Sequence, residues 1–169
     1  ISGTGGLTLV AGTETLGGAN DYSGITTISG GTLTVGGTGT LGTSALYGSN
    51  IVIVAGAVFE FSSSSNQIIS GAISGDGRIT KDTSTSSNLT LSGSNSYTGT
   101  TSIVAGRLTL SSNGALGSTS GATVTNGATL AISGSSLSIS QPITLNGSGA
   151  SSLGALLNVS GNNAVTHVL

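Results

Sequence analysis

Apolar residues alternate with Thr, Ser or Gly along most of the chain. Leu7-Thr8-Leu9, Leu33-Thr34-Val35, Ile51-Val52-Ile53, Phe59-Glu60-Phe61, Leu89-Thr90-Leu91, Leu108-Thr109-Leu110, Leu130-Ala131-Ile132 and Ile143-Thr144-Leu145 all have this form. A period of two sends one set of side chains into a core and the other into solvent, which is the signature of a half-buried strand. Each run is short and bounded by Gly, Asn or Ser, residues that favour turns. The predicted elements are therefore many short strands joined by tight corners.

The spacing of the strands suggests how they assemble. Leu7, Leu33 and Phe59 follow one another at steps of 26, and Leu108 precedes Leu130 by 22. Such steps fit one coil of a parallel β-helix with roughly three short strands per coil, stacked about 4.8 Å per layer. Inward Leu, Ile and Val would then form apolar ladders, and outward Thr and Ser would coat the surface. Pro142 is the only proline, as expected where most backbone N–H groups are paired between coils. A β-sandwich also alternates but predicts irregular spacing and a core rich in aromatics, and this chain has no Trp and two Phe. A β-propeller calls for repeats of about 40–50 residues.

The repeat in this chain is longer. Ile1-Ser2-Gly3-Thr4-Gly5 returns as Ile73-Ser74-Gly75-Asp76-Gly77 and, more loosely, as Leu145-Asn146-Gly147-Ser148-Gly149, each step being 72 residues. Tyr22-Ser23-Gly24-Ile25-Thr26-Thr27-Ile28 pairs with Tyr97-Thr98-Gly99-Thr100-Thr101-Ser102-Ile103 at a distance of 75, which places about three inserted residues upstream. Gly56–Phe61 matches Gly127–Ile132 at 71. The drift assigns insertions to loops and constancy to strands, as expected when each unit rests on its neighbour. The reading is one continuous solenoid with repeats over 1–72 and 73–144 and the start of a third, divergent or truncated, over 145–169.

Composition narrows the class. Charged residues are 5% of the 169, hydrophobic residues 36%, and there are 30 Gly. No run of about 18 apolar residues exists, so no transmembrane helix is expected. The apolar content also argues against disorder. Arg78, Lys81 and Arg107 are the only basic residues and the net charge is −2, too little cation to neutralise a nucleic-acid backbone. There is no Cys, hence no disulfide framework or thiolate metal site. The chain starts at Ile1 with neither Met nor signal peptide and is read as mature or internal.

Two segments carry a family resemblance. Asn20-Asp21-Tyr22-Ser23-Gly24-Ile25-Thr26-Thr27-Ile28 followed by Gly31-Thr32-Leu33-Thr34-Val35, and Asn95-Ser96-Tyr97-Thr98-Gly99-Thr100-Thr101-Ser102-Ile103 followed by Gly106-Arg107-Leu108-Thr109-Leu110, resemble the passenger-associated repeat of bacterial autotransporters. Leu41-Gly42 and Leu116-Gly117 extend the likeness. Gly154–Asn163 resembles the lead-in to a further copy, but Ala164-Val165-Thr166-His167 stands where Tyr-Ser-Gly belongs. The resemblance implies a right-handed parallel β-helix, secreted and displayed on the bacterial surface, in which the repeat is scaffold and carries no catalytic residues.

Candidate chemistry is sparse. Gly37-Thr38-Gly39-Thr40-Leu41-Gly42 has the G-x-G-x-x-G spacing, but a dinucleotide site needs a helix next, and the following residues are too short and Gly-bounded, so a turn is expected. His167, the only histidine, reads as a surface or terminal residue. Asp76, Arg78, Lys81 and Asp82 could serve acidic sugars, and the simpler reading is a solvated loop with weak ion pairs. The calcium nonapeptide is absent. Asn88, Asn146 and Asn158 head formal glycosylation sequons that arise by chance in so polar a chain. Tyr22 and Tyr97 read as corner aromatics packed on the next coil rather than sugar platforms.

The expectation is therefore a structural or adhesive extracellular element with no catalytic, cofactor or metal residues and no membrane insertion of its own. Open coil ends are unpaired edges, and no polar cap is evident at Ile1 or Leu169. End-to-end self-association or contact with neighbouring repeats is expected, and head-to-tail contacts would propagate into a filament. A host or glycan surface ligand is the other partner class. The competing function is a β-helical protein that binds or cleaves polysaccharide.

Overall fold

The computed structural model describes residues 1–83 and 86–169. Its strands follow one another around a three-sided coil. The first turn contains β1 (Leu7–Leu9), β2 (Thr13–Leu16) and β3 (Ala19–Asn20). The second contains β4 (Thr26–Ile28), β5 (Thr32–Gly37), β6 (Thr40–Leu41) and β7 (Leu46–Tyr47). The third contains β8 (Ile51–Ile53), β9 (Val58–Ser63) and β10 (Gln67–Ile69), and the fourth β11 (Ile73–Ser74), β12 (Arg78–Lys81) and β13 (Asn88–Leu91). Then come β14 (Thr101–Ile103) and β15 (Gly106–Leu110), β16 (Ala122–Val124), β17 (Ala128–Ser133) and β18 (Ser138–Ile139), and finally β19 (Ile143–Leu145), β20 (Leu156–Ser160) and β21 (Ala164–Val165).

Every pairing between these strands is parallel and joins one turn to the next. The first face stacks β1-β4-β8-β11 and the second stacks β2-β5-β9-β12-β14-β16-β19. The third stacks β7-β10-β13-β15-β17-β20, with the short pair β3-β6 preceding it. The first face resumes at the far end as β18-β21. The chain is thus an all-β parallel solenoid of about seven turns, as the alternation and spacing predicted.

The period of two is realised as ladders of buried side chains. On the second face Leu33, Phe59 and Ile79 stack in register, as do Leu16, Val35 and Phe61. On the third, Leu89, Leu108 and Leu130 do the same. All are within the buried core. The outward row of the second face is Thr15, Thr34, Glu60, Thr80, Ser102, Thr123 and Thr144, one residue per turn.

One expected rung is different. Leu33 over Phe59 and Leu108 over Leu130 are true layers. Leu7, however, pairs with Thr26 on the first face, and Leu33 lies over Glu14 on the second. The first turn is only 19 residues long at these rungs, Leu7 to Thr26 and Thr13 to Thr32. Apolar–x–apolar triplets occur on every face, so their spacing alone does not say which one lies above which.

Lys81 is the second departure. It stands in the buried ladder between Phe61 and Ile103 rather than in a solvated loop. Its Nζ donates to the carbonyls of Asp82 (3.0 Å), Thr83 (2.9 Å) and Ala105 (3.2 Å) and lies 5.7 Å from the centroid of the Phe61 ring. The ammonium therefore ties down the start of the corner between β12 and β13. In the sequence that corner is three residues longer than its counterpart between Leu9 and Thr13, which accounts for the drift from 72 to 75.

Burial lowers the Lys81 pKa from its ordinary 10.5 to about 8, and the adjacent Asp82 carboxylate opposes the shift. Between those values the unfolded chain binds the extra proton, so stability rises with pH across that window. Chemical denaturation between pH 8 and 10 should show the midpoint increasing, and Lys81→Met should remove the increase. A wild-type midpoint flat over that range would contradict the assignment.

Candidate functional site

The residues shared by the two motif copies meet inside the solenoid. Asn20 and Asn95, 75 apart, are both buried. Asn95 Oδ1 accepts from Ile73 N (2.8 Å) in the turn below, and its Nδ2 donates to Ala115 O (2.7 Å) in the turn above. Asn20 Oδ1 accepts from the Ile1 amine (3.2 Å), and its Nδ2 donates to Thr40 O (3.2 Å) and Gly18 O (2.5 Å). Ile1 matches Ile73, and Thr40 matches Ala115, by the same repeat. Each Asn side chain links three successive turns where regular strand pairing lapses.

Two residues on, the tyrosines close the same node. Tyr97 Oη lies 2.8 Å from Thr101 Oγ1, and Tyr22 Oη lies 2.6 Å from Thr26 Oγ1. In the first copy Tyr47 joins in. Its Oη lies 2.7 Å from Thr26 Oγ1 and donates to Gly24 O (2.6 Å), and its ring sits 5.5 Å from that of Tyr22. Burial raises the pKa of all three phenols, most strongly Tyr22 and Tyr97, with the Thr hydroxyl contact working the other way. These are corner aromatics packed against the next coil, as predicted, but each also needs its hydroxyl satisfied.

The glycine after each tyrosine is explained by close approach. A Cβ on Gly99 would lie 2.0 Å from Gly77 O, and one on Gly24 would lie 2.4 Å from Gly5 C. Ser96 N and Thr98 N donate to Ile73 O and Gly75 O, and Asp21 N and Ser23 N donate to Ile1 O and Gly3 O. The Ile-Ser-Gly-x-Gly segment is thus the floor on which Asn-x-Tyr-Ser/Thr-Gly rests, and the two recurrences in the sequence are two layers of one unit.

Passenger-associated-transport-repeat is the family whose model matches this chain, over residues 2–35 and 86–110. The chain carries autotransporter passenger repeats. Both matches end at the same motif position, Val35 and Leu110. No curated protein and no solved structure matches the chain. The third lead-in keeps part of the pattern: Asn163 Oδ1 accepts from Leu137 N (2.8 Å), and Val165 occupies the tyrosine place, packed on the core.

The two passenger repeats do not stack on the same face. Thr26–Ile28 lies on the first face and its equivalent Thr101–Ile103 on the second. Thr32–Val35 lies on the second and Arg107–Leu110 on the third. One repeat therefore advances three turns plus one face.

The remaining candidates disperse. Gly37–Gly42 forms a turn, with Gly39 N donating to Gly36 O, and a two-residue strand follows rather than a helix. His167 is exposed, its carbonyl accepting from Ile143 N. Asp76 accepts from Thr98 Oγ1 (2.6 Å) and Asp82 from Thr83 N (2.6 Å), while Lys81 serves carbonyls. None of these contacts is an ion pair, contrary to the loop pairing expected. Among the described residues no three His, Cys, Asp or Glu side chains gather as a metal set. No helix among them is long and apolar enough to cross a membrane.

What the sequence did not reveal is a pair of outward grooves, each containing one arginine. Arg78 lines one of about 520 Å³ on the second face with Thr80, Ser102 and Thr123. Arg107 lines one of about 220 Å³ on the third face with Asn88, Thr90, Thr109, Ser111 and Ser133. Only the cross-strand register, hidden from a linear reading, brings these residues together.

Removing the Asn95 amide orphans a buried N–H and a buried C=O, each costing about 1–3 kcal/mol. Asn95→Ala should therefore destabilise the fold by about 2–4 kcal/mol in equilibrium denaturation, whereas Asn146→Ala, at a looser corner, should cost far less. The buried phenols give a second readout. Their folded pKa values lie above the ordinary 10, so the stability they contribute is intact below pH 10 and falls as pH rises beyond it. Absorbance at alkaline pH should show tyrosinate appearing together with loss of β-structure, not before it.

Proposed function

We propose that this chain is a scaffold segment of an extracellular, surface-displayed autotransporter passenger, a stiff spacer with adhesive outer faces and no catalytic role. The observation that carries the reading is that the passenger repeat commits its characteristic Asn, Tyr, Thr and Gly to the interior. Seven turns at about 4.8 Å each extend the segment by roughly 34 Å, so an array of such repeats gains reach cheaply. A parallel solenoid also exposes unpaired strand edges at either end of any segment. Pairing with neighbouring repeats, or with a second copy head to tail, would cover them.

Polysaccharide binding is the second reading, favoured by the hydroxyl-lined grooves. Cleavage is a weaker form of it, because Asp76 and Asp82 are engaged by neutral donors on separate strands.

The reading is tested on intact bacteria producing the whole protein. An antibody raised against residues 1–169 should label unpermeabilised cells or detect the segment in the medium. Signal confined to the interior of permeabilised cells would defeat it. Electron microscopy distinguishes the two ways of covering the edges: long fibres of the purified chain support head-to-tail stacking, and uniform single particles support neighbouring repeats of one chain.

A further inference from the structure

We propose that the Arg107 groove on the third face is a binding site for a carboxylated sugar, such as a uronic acid unit of an acidic polysaccharide. The argument begins with register. Strand β15 pairs Arg107 with Asn88 of β13 and Thr109 with Thr90. Asn88 Oδ1 accepts from both Arg107 Nε (3.3 Å) and Thr109 Oγ1 (2.7 Å), and its Nδ2 donates to Thr90 Oγ1 (3.0 Å). A single amide thus fixes the guanidinium and orients two hydroxyls.

Among the described residues, the Nε contact is the one hydrogen bond the Arg107 side chain makes. The four N–H groups on its terminal nitrogens retain their donor capacity. That planar fork matches a carboxylate bidentately, which an ammonium would not. The groove is lined by Thr90, Ser111 and Ser133 hydroxyls as well, and no acidic residue lines it. Those hydroxyls suit the ring hydroxyls of a sugar, and Val159 offers the groove an apolar patch.

The position also differs between the two repeats. Arg107 corresponds to Thr32, which lies outward on the second face. The scaffold part of the motif is kept and this outward position changes, so the guanidinium is an addition to the scaffold and not a requirement of it. Its partner Asn88 corresponds to Thr13, so the first copy lacks both members. Asn88 is a positioning residue acting through Arg107.

The inference gives the adhesive reading a ligand class and rests on that reading only for its biological setting. The probe is a trimer of galacturonic acid, compared with its methyl ester, titrated into the folded chain and followed by NMR at the Arg107 Nε–H resonance. The acid should bind saturably, shift that resonance and outcompete the ester. Losing one charge-assisted, bidentate contact should weaken binding by at least about tenfold in Arg107→Gln. Arg107→Lys, which keeps the charge and loses the fork, should weaken it as well. Asn88→Ala should weaken binding and move the Nε–H resonance of the free protein. Arg78→Gln, in the other groove, should bind within about twofold of the parent.

Equal affinity for acid and ester, undiminished binding by Arg107→Gln, equal loss in Arg78→Gln, or no saturable binding at all would each overturn the site. Adhesion of cells displaying the whole protein to polygalacturonate-coated surfaces is the separate readout. Binding in solution without adhesion keeps the groove and removes only the adhesive role. Adhesion that survives Arg107→Gln removes the groove as its cause.

Discussion

Backbone pairing between successive turns is the constraint on which the rest of this molecule depends. A solenoid has no second layer to cover its main chain, so each turn must satisfy the N–H and C=O groups of the turn beneath it. Within strands the ladder does this unaided. At corners and where a strand is short, pairing lapses, and a buried unpaired amide is costly. The polar side chains found inside the coil answer this need. Asn20 and Asn95 bridge adjoining turns. Gln67 takes the place of a strand for Leu41, accepting from its N–H (2.7 Å) and donating to its carbonyl (3.0 Å). Lys81 serves three carbonyls at a lengthened corner. These residues are interior because main-chain groups there lack partners, not because chemistry is performed there.

This constraint also explains what could be read from the sequence. Alternation is a local property, so the strands, the all-β class and the short corners were legible. Stacking is not local. Leu7 and Leu33 share a pattern and a plausible spacing, yet they occupy different faces, because a coil of 19 residues and one of 26 both close. Lys81 looked like a loop cation because its sequence neighbours are polar, while its position in the ladder is set by Phe61 below and Ile103 above. The Arg107 groove was illegible for the same reason. Asn88, Arg107 and Ser133 lie far apart in the chain and become neighbours only through register.

The passenger repeat divides its positions between two tasks. Asn, Tyr, Thr and Gly satisfy or make room for backbone, which leaves little freedom to change them: a Cβ at Gly99 would meet the Gly77 carbonyl at 2.0 Å. Outward positions bear no such load. Thr32 and Arg107 hold the same place in the motif and differ in size and charge without altering the strands that carry them. A surface residue here can be exchanged at little energetic cost, since isolated outward substitutions seldom exceed half a kilocalorie or so.

The advance of three turns plus one face per repeat adds a geometric consequence. If a repeat equalled a whole number of turns, its variable positions would line up along one face, and identical faces would invite side-by-side pairing of like rods. A one-face advance instead moves the outward position from the second face, at Thr32, to the third, at Arg107. Neighbouring repeats then present different surroundings to the same motif position: the neutral hydroxyl ladder of Thr15 and Thr34 in one case, and the amide-braced groove of Asn88 in the other. A single scaffold motif can in this way present unlike surfaces around the rod while its interior chemistry stays the same.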